Sequence, residues 1–81
     1  MGSEGKEKVL RTISAAFENK RPISADDTMD TVEEWDSLGH LSVLTELDKA
    51  FGGKVAGIDG MSQARSVREI ISLLAEAKVI D

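Results

Sequence analysis

The sequence contains no cysteine, which excludes disulfide bonds, thiolate metal sites and a cysteine nucleophile. No apolar run approaches the roughly 20 residues that a membrane-spanning helix needs, and the chain does not open on an apolar signal segment. Nothing alternates between apolar and polar residues over a useful length, so β-strands are not expected. We therefore expect a soluble, cytoplasmic, all-α protein that has no membrane partner.

The 81 residues of the chain leave room for one domain, which we assign to residues 1–81. A domain of this size has a modest core and too little depth for the water-excluding cleft of most enzymes. The size therefore favours a module that binds, carries or docks over a catalyst. Residues 1–6 are predicted to be disordered or left over from cloning.

Acidic residues are concentrated in one segment of the chain. Six of the 15 acidic residues, and no basic residue, lie within residues 26–36. The rest of the chain has nine acidic and ten basic residues and is close to neutral. This segment should repel nucleic acid and anionic membranes, so we expect neither as a partner. A charged partner should present a basic face. A solvated acidic loop that binds nothing explains the charge equally well.

Three amphipathic segments predict helices. The first runs from about residue 4 to 19 and is ended by Arg21-Pro22, because the residue before proline leaves the helical region. The second runs from Ser37 to Phe51, with Asp36 as its N-cap. The predicted buried face of the first helix comprises Val9, Leu10, Ile13, Ala16 and Phe17. The predicted stripe of the second comprises Leu38, Leu41, Leu44, Leu47 and Phe51.

The connections between these helices are expected to be irregular but tied down. Residues 20–36 form a long loop with possible short helical turns, held by the apolar side chains of Ile23, Met29, Val32 and Trp35. Gly52-Gly53 ends the second helix, and residues 60–65 should hold a short one, with Ile58 and Met61 turned inward. Ser66 and Glu69 form a capping box that opens the last helix. Its predicted buried face comprises Val67, Ile70, Ile71, Leu74 and Ala77.

Ser37 stands at the first position of the second helix, where backbone N–H groups lack helical partners and the dipole is positive. A phosphate esterified to its hydroxyl would be well placed for those donors. Position alone favours a second capping residue or a tolerated small polar residue, since serine is common at helix starts. A nucleophilic role is not expected, since the only histidine, His40, is one turn along the helix and no third group orients it. We interpret His40 as a surface or boundary side chain.

The acidic segment does not predict a metal site. Its carboxylates lack the calcium-loop spacing and the central glycine of that loop.

The run Trp35-Asp36-Ser37-Leu38, followed by Gly39-His40-Leu41, resembles the phosphopantetheine segment of freestanding acyl carrier proteins. In that family an Asp-Ser-Leu motif opens the second helix of a four-helix bundle. The resemblance also covers the long preceding loop, the helix stripe that follows, and the short third and amphipathic fourth helices. It spans roughly residues 7–77 and implies a four-helix bundle with three longer helices, a short third helix and a long first loop.

The resemblance implies a carrier that is not an enzyme. A separate phosphopantetheinyl transferase, using coenzyme A and Mg²⁺, would attach 4′-phosphopantetheine to the Ser37 hydroxyl. The thiol of that arm would hold an acyl thioester and present it to acyl-loading and acyl-processing enzymes with basic docking faces. Asp36 would serve as helix cap and as part of the transferase motif, and a monomer is expected.

Docking residues follow from the same resemblance. Leu41 is predicted to contact partner enzymes and Leu38 to form the rim of an acyl-binding core. The predicted acidic docking residues are Glu33, Glu34, Glu46 and Asp48.

The chain also departs from the carriers of general fatty-acid synthesis, which have several acids along the second helix. Here the corresponding positions hold Gly39, Ser42, Lys49 and Ala50. We therefore expect a specialised pathway, such as polyketide, lipid or surface-sugar modification. An aminoacyl or peptidyl carrier of nonribosomal synthesis and a helical interaction module without the arm are the alternatives. Gly39 should cost the helix about 0.5–1 kcal/mol relative to alanine.

Overall fold

Three α-helices and one short 3₁₀ helix form the regular structure of the computed structural model, which describes residues 3–19 and 22–80. The α-helices are α1 (Ser3–Ala16), α2 (Ser37–Ala50) and α3 (Val67–Glu76), and the 3₁₀ helix spans Met61–Gln63. No strand occurs within the described ranges, where Thr28 and Ser66 form an isolated antiparallel bridge. The expected all-α class is therefore confirmed. None of the helices in these ranges is long and apolar enough to cross a membrane.

Helix α1 ends three residues earlier than the periodicity predicts. Glu18 and Asn19 adopt left-handed backbone angles, with φ of 61° and 56°. The Asn19 amide donates to the Ser14 carbonyl oxygen at 2.8 Å, which closes the helix end. The sequence predicts that α1 is ended by Arg21-Pro22, and Arg21 lies outside the described ranges. Residues 3–6, predicted to be disordered or left from cloning, form the first turn of α1.

Helices α1 and α2 pack against each other in antiparallel fashion. At one end the Lys8 ammonium lies 4.7 Å from the centre of the Phe51 ring, and at the other Phe17 approaches Gly39. Helix α3 and the 3₁₀ helix complete the core. The fully buried core side chains on the three helices are Val9, Ile13, Val43, Leu47, Val67, Ile70 and Leu74.

The loop before α2 is held by apolar anchors, as predicted. Ile23, Val32 and Trp35 are buried and Met29 packs partly against the core. Its internal backbone hydrogen bonds close local turns, and the described part of it, residues 22–36, contains no helix. The loop is therefore ordered by burial instead of by regular structure.

Backbone hydrogen bonds join this loop to the start of α3. The Met29 amide donates to the Arg65 carbonyl oxygen at 2.9 Å, and the Val67 amide donates to the Asp27 carbonyl oxygen at 3.1 Å. The Arg68 guanidinium forms an ion pair with Asp26 beside them. These contacts fix the segment before α3 against the segment before α2.

The predicted capping residue of α3 is confirmed, with one difference in its partner. The Ser66 hydroxyl accepts from the Glu69 amide at 3.1 Å, as in a capping box. The Glu69 carboxylate, however, accepts from the Arg65 amide at 3.0 Å, one residue earlier than the motif predicts. On the predicted buried face, Ile71 is half-buried and Ala77 is exposed, because α3 ends at Glu76.

Candidate functional site

Asp36 is the N-cap of α2, as the sequence predicts. Its backbone is extended, with φ −102° and ψ −165°, and its carboxylate accepts a hydrogen bond from the Gly39 amide at 2.8 Å. A carboxylate here also complements the positive end of the helix dipole. The capping function is therefore supplied by Asp36, and Ser37 is not needed for it.

Ser37 is the first residue of α2 and is exposed. Within the part of the chain that the structure describes, its hydroxyl has no hydrogen-bond partner. The interpretation of Ser37 as a second capping residue is therefore wrong. The hydroxyl is accessible at a helix N-terminus, next to first-turn N–H groups that can bind an anion.

Ser37 is one of the residues that line a surface groove of about 290 Å³. Met29, His40 and Ala64 line it together with the polar side chains of the segment before α3. Those polar residues are Ser62, Gln63 and Arg65. The groove thus has apolar and polar walls and lies between α2 and the 3₁₀ helix. No sequence pattern singles out its far wall, because tertiary packing alone brings that segment beside Ser37.

His40 is buried, and its interpretation as a surface or boundary residue is wrong. Only 6% of its surface is exposed. The Trp35 indole N–H donates to His40 Nδ1 at 3.0 Å, and His40 Nε2 lies 3.0 Å from the Met61 carbonyl oxygen. These two bonds join the loop before α2, α2 itself and the 3₁₀ helix.

The partners of His40 define its protonation state. Because Nδ1 accepts from Trp35, the ring proton must lie on Nε2, which then donates to Met61. This is the neutral imidazole, with both nitrogens occupied. His40 is therefore a structural cross-link beneath Ser37, and its nitrogens are not free to act as a base toward the Ser37 hydroxyl.

Gly39 occupies a position that a larger residue would not fit. A Cβ atom built there would lie 2.2 Å from the Glu34 carbonyl oxygen and 3.2 Å from the Phe17 ring. Contacts below about 3 Å force the backbone apart. The glycine thus permits the first turn of α2 to pack directly on the backbone of the preceding loop, and this role outweighs its low helix propensity.

The exposed face of α2 differs from the predicted stripe. Leu38 and Leu41 are 76% and 60% exposed, whereas His40, Val43 and Leu47 form the buried face. Leu38 projects into solvent and does not pack in the core of this structure, and its place at the rim of an acyl-binding core stays a prediction. Leu38 and Leu41 instead make an apolar surface on the first turns of α2, next to Ser37.

The four acids predicted to dock partners lie in different environments. Glu33 is exposed and Glu34 is half-buried, and both immediately precede the cap of α2. Glu46 is half-buried in a separate groove with Arg11 and Lys49. It lies nine residues along the helix from Ser37, or about 14 Å at 1.5 Å per residue.

Asp48 has a local structural role that the sequence does not reveal. Its Oδ1 accepts from the amides of Val55 and Ala56, at 3.1 and 3.0 Å. This carboxylate therefore anchors the loop that follows α2, after the left-handed Gly52 and Gly53 (φ 69° and 82°) have ended the helix. Among the described residues, no group of three or more histidine, aspartate or glutamate side chains is arranged to hold a metal ion.

Comparisons with protein-family models, with curated proteins and with solved structures find no match for this chain.

Proposed function

We propose that the chain is an acyl carrier protein in which Ser37 is the attachment point of 4′-phosphopantetheine. The observation that carries the proposal is the exposed Ser37 hydroxyl, which has no partner among the described residues, at the start of a helix already capped by Asp36. A serine without a structural role in this position is what an attached group requires. It agrees with the motif Asp36-Ser37-Leu38, which resembles that of the carrier family.

The residues around Ser37 fit the chemistry of a phosphopantetheine arm. The phosphodiester would lie at the positive end of α2. The amides and the methyl groups of the arm match the mixed polar and apolar walls of the adjacent groove. The arm supplies a thiol that carries an acyl group as a thioester, and the protein supplies its attachment and position.

The attachment is made by a separate enzyme, a phosphopantetheinyl transferase. The Ser37 Oγ–phosphorus bond forms as the pyrophosphate bond of coenzyme A breaks. Adenosine 3′,5′-bisphosphate leaves, and the transferase takes the hydroxyl proton. His40 is an unsuitable base for this step because both of its ring nitrogens are bonded within the protein. The chain is therefore the substrate of the reaction and not its catalyst.

The proposal includes the four-helix architecture of the carrier family. In this proposal the 3₁₀ helix of Met61–Gln63 would correspond to the short third helix of the family, and α1, α2 and α3 to the longer ones. The cargo is proposed to be an acyl group of a specialised pathway. The exposed α2 face beside Ser37 supports this, since it is formed by Leu38, Leu41, Ser42 and Thr45 and has no acid.

Docking of partner enzymes is proposed to use the apolar surface of Leu38 and Leu41, with Glu33 as a charged contact for a basic partner face. Glu34, Glu46 and Asp48 stay predicted docking residues, although the carboxylate of Asp48 is already bonded to the loop after α2. Two exposed leucines would equally suit a helical interaction module without an arm. Modification of Ser37 decides between the two functions.

The deciding experiment measures the intact mass of the chain after incubation with coenzyme A, Mg²⁺ and a broad-specificity transferase. We expect the wild type to gain one phosphopantetheine and Ser37→Ala to gain none. Ser42→Ala is the matched control, because Ser42 is an exposed serine on the same helix. It should gain the group as the wild type does.

Two results would contradict the proposal. A wild type that gains no mass under conditions that load a known carrier leaves the interaction module as the better interpretation. Equal loading of Ser37→Ala would place the attachment at another residue.

A further inference from the structure

Arg65, on the segment that precedes α3, lines the same groove as Ser37. Its backbone is fixed on both sides: its amide donates to Glu69 at 3.0 Å and its carbonyl oxygen accepts from Met29 at 2.9 Å. The Arg65 side chain therefore starts from a defined place on the groove wall. Among the described residues that line this groove, it is the one lysine or arginine.

The guanidinium of Arg65 is not used in an ion pair with any residue in the described ranges, in contrast to that of Arg68, which is paired with Asp26. An arginine next to an acidic loop would ordinarily be expected to find a carboxylate there. Arg65 lines the groove that Ser37 also lines, so its charge is available to a group attached there.

We propose that Arg65 binds the phosphodiester formed on Ser37 and that Ser62 and Gln63 hold the arm along the groove. This inference rests on the proposed function and adds a residue-specific binding site to it. A phosphodiester carries one negative charge, and arginine binds phosphate oxygens through two parallel N–H donors. The hydroxyl of Ser62 and the amide of Gln63 match the amide groups of the arm as donors and acceptors.

The charge distribution gives this contact a function. The acidic segment 26–36 ends one residue before Ser37, so attachment adds a negative group where acids are already concentrated. Without a cation, repulsion would direct the arm away from the protein surface. Arg65 reverses this preference and directs the arm into the groove.

The test compares amide signals in ¹⁵N–¹H spectra of the unloaded and loaded chain at low salt. In the wild type we expect loading to shift the signals of Ser62, Gln63 and the Arg65 side-chain N–H. In Arg65→Gln the shifts at Ser62 and Gln63 should fall to less than half. Arg65→Lys keeps the charge without the planar donor pair and should retain an intermediate shift.

Arg11→Gln is the matched control, since it removes the same charge from an exposed arginine in a separate groove. Its loading shifts at Ser62 and Gln63 should equal those of the wild type. The shifts should also shrink with added salt in the wild type, because an exposed ion pair is screened.

The masses of the same samples separate the two proposals. If no sample gains phosphopantetheine, the proposed function fails. If the chain is loaded but Ser62 and Gln63 do not shift, or shift equally in Arg65→Gln, the carrier function stands and the Arg65 site is overturned.

Discussion

Gly39 shows how the absence of one side chain determines a junction between a loop and a helix. Helix propensity alone predicts that alanine would stabilise this position by about 1 kcal/mol. The structure reverses that expectation, because a Cβ atom would lie 2.2 Å from the Glu34 carbonyl oxygen. Backbone atoms cannot move aside as a flexible side chain can.

Gly39→Ala is expected to lower the free energy of unfolding by about 1–3 kcal/mol, the usual cost of overpacking. Urea denaturation measures the change. Gly57→Ala is the control, since nothing lies within 4 Å of its Cβ position, and its change should stay within about 0.5 kcal/mol. A Gly39→Ala variant at least as stable as the wild type would show that the loop before α2 moves to accommodate the added methyl group.

The Trp35–His40–Met61 chain of hydrogen bonds should contribute to stability as a unit. His40→Ala leaves the Trp35 indole N–H and the Met61 carbonyl oxygen without their partner in the interior, and should cost about 2–4 kcal/mol. Trp35→Phe removes the N–H and should cost about 1–3 kcal/mol, since His40 Nδ1 then lacks its donor. The double variant should lose less stability than the sum of the two single variants, by about 0.5 kcal/mol or more. If the losses of the two single variants add up in denaturation experiments, Trp35 and His40 do not stabilise the fold through a shared hydrogen bond.

Two aspartates hold the ends of helix α2. Asp36 caps the beginning, and Asp48, in the last turn, binds the backbone of the following loop through Val55 and Ala56. The helix is therefore connected by side-chain hydrogen bonds to both of its neighbouring segments.

Asp48→Ala should lower the free energy of unfolding by about 1–2 kcal/mol, because two backbone N–H groups lose a carboxylate acceptor at a half-buried position. Asp48→Asn keeps an acceptor oxygen and should lose less. Glu46→Ala, two residues earlier, should change it by less than about 0.5 kcal/mol. If Asp48→Ala and Glu46→Ala lower the free energy of unfolding equally, the two backbone hydrogen bonds of Asp48 do not stabilise the fold.

The sequence predicts where these helices begin better than which face they bury. Asp36 and Ser66 are recognisable caps because capping depends on residues within one turn. The face of α2 is ambiguous, since leucine or valine occurs at positions 38, 41, 43, 44 and 47. Packing of the loop and of the 3₁₀ helix selects His40 and Val43 for burial and leaves Leu38 and Leu41 outside. The early end of α1 is equally hidden, because left-handed angles at Glu18 give no periodic signal.

The candidate site combines residues that are adjacent in sequence with residues that lie far apart in sequence. Ser37 and its cap are predictable from a short motif. The groove beside them is not, because Arg65 reaches it through hydrogen bonds between the loop before α2 and the start of α3. For the same reason His40 looks like a surface residue in sequence, while its partners lie five and 21 residues away.

Substitution of the exposed leucines should separate docking from stability. Leu38→Ser and Leu41→Ser should each raise the KM of the transferase about fivefold, which corresponds to about 1 kcal/mol of lost binding. Their free energies of unfolding should stay within about 0.5 kcal/mol of the wild type, since both side chains are largely in solvent. Steady-state kinetics and urea denaturation provide the two measurements.

Charge-reversal variants provide a comparison for the two leucine substitutions. Glu33→Lys should raise KM most at low salt, whereas Glu7→Lys, at an exposed position of α1 outside the predicted docking set, should have little effect. If Leu38→Ser and Leu41→Ser load as the wild type does, this apolar surface is not the docking site.

Trp35 gives the protein a built-in optical reporter. It is the only tryptophan, tyrosine is absent, and its indole lies buried between Phe17 and His40 at the junction of three segments. Emission excited at the red edge of the absorption band therefore comes from one site. A change in that junction, whether by denaturant, by substitution at position 40 or by an arm entering the groove that His40 lines, can be followed in real time without a dye.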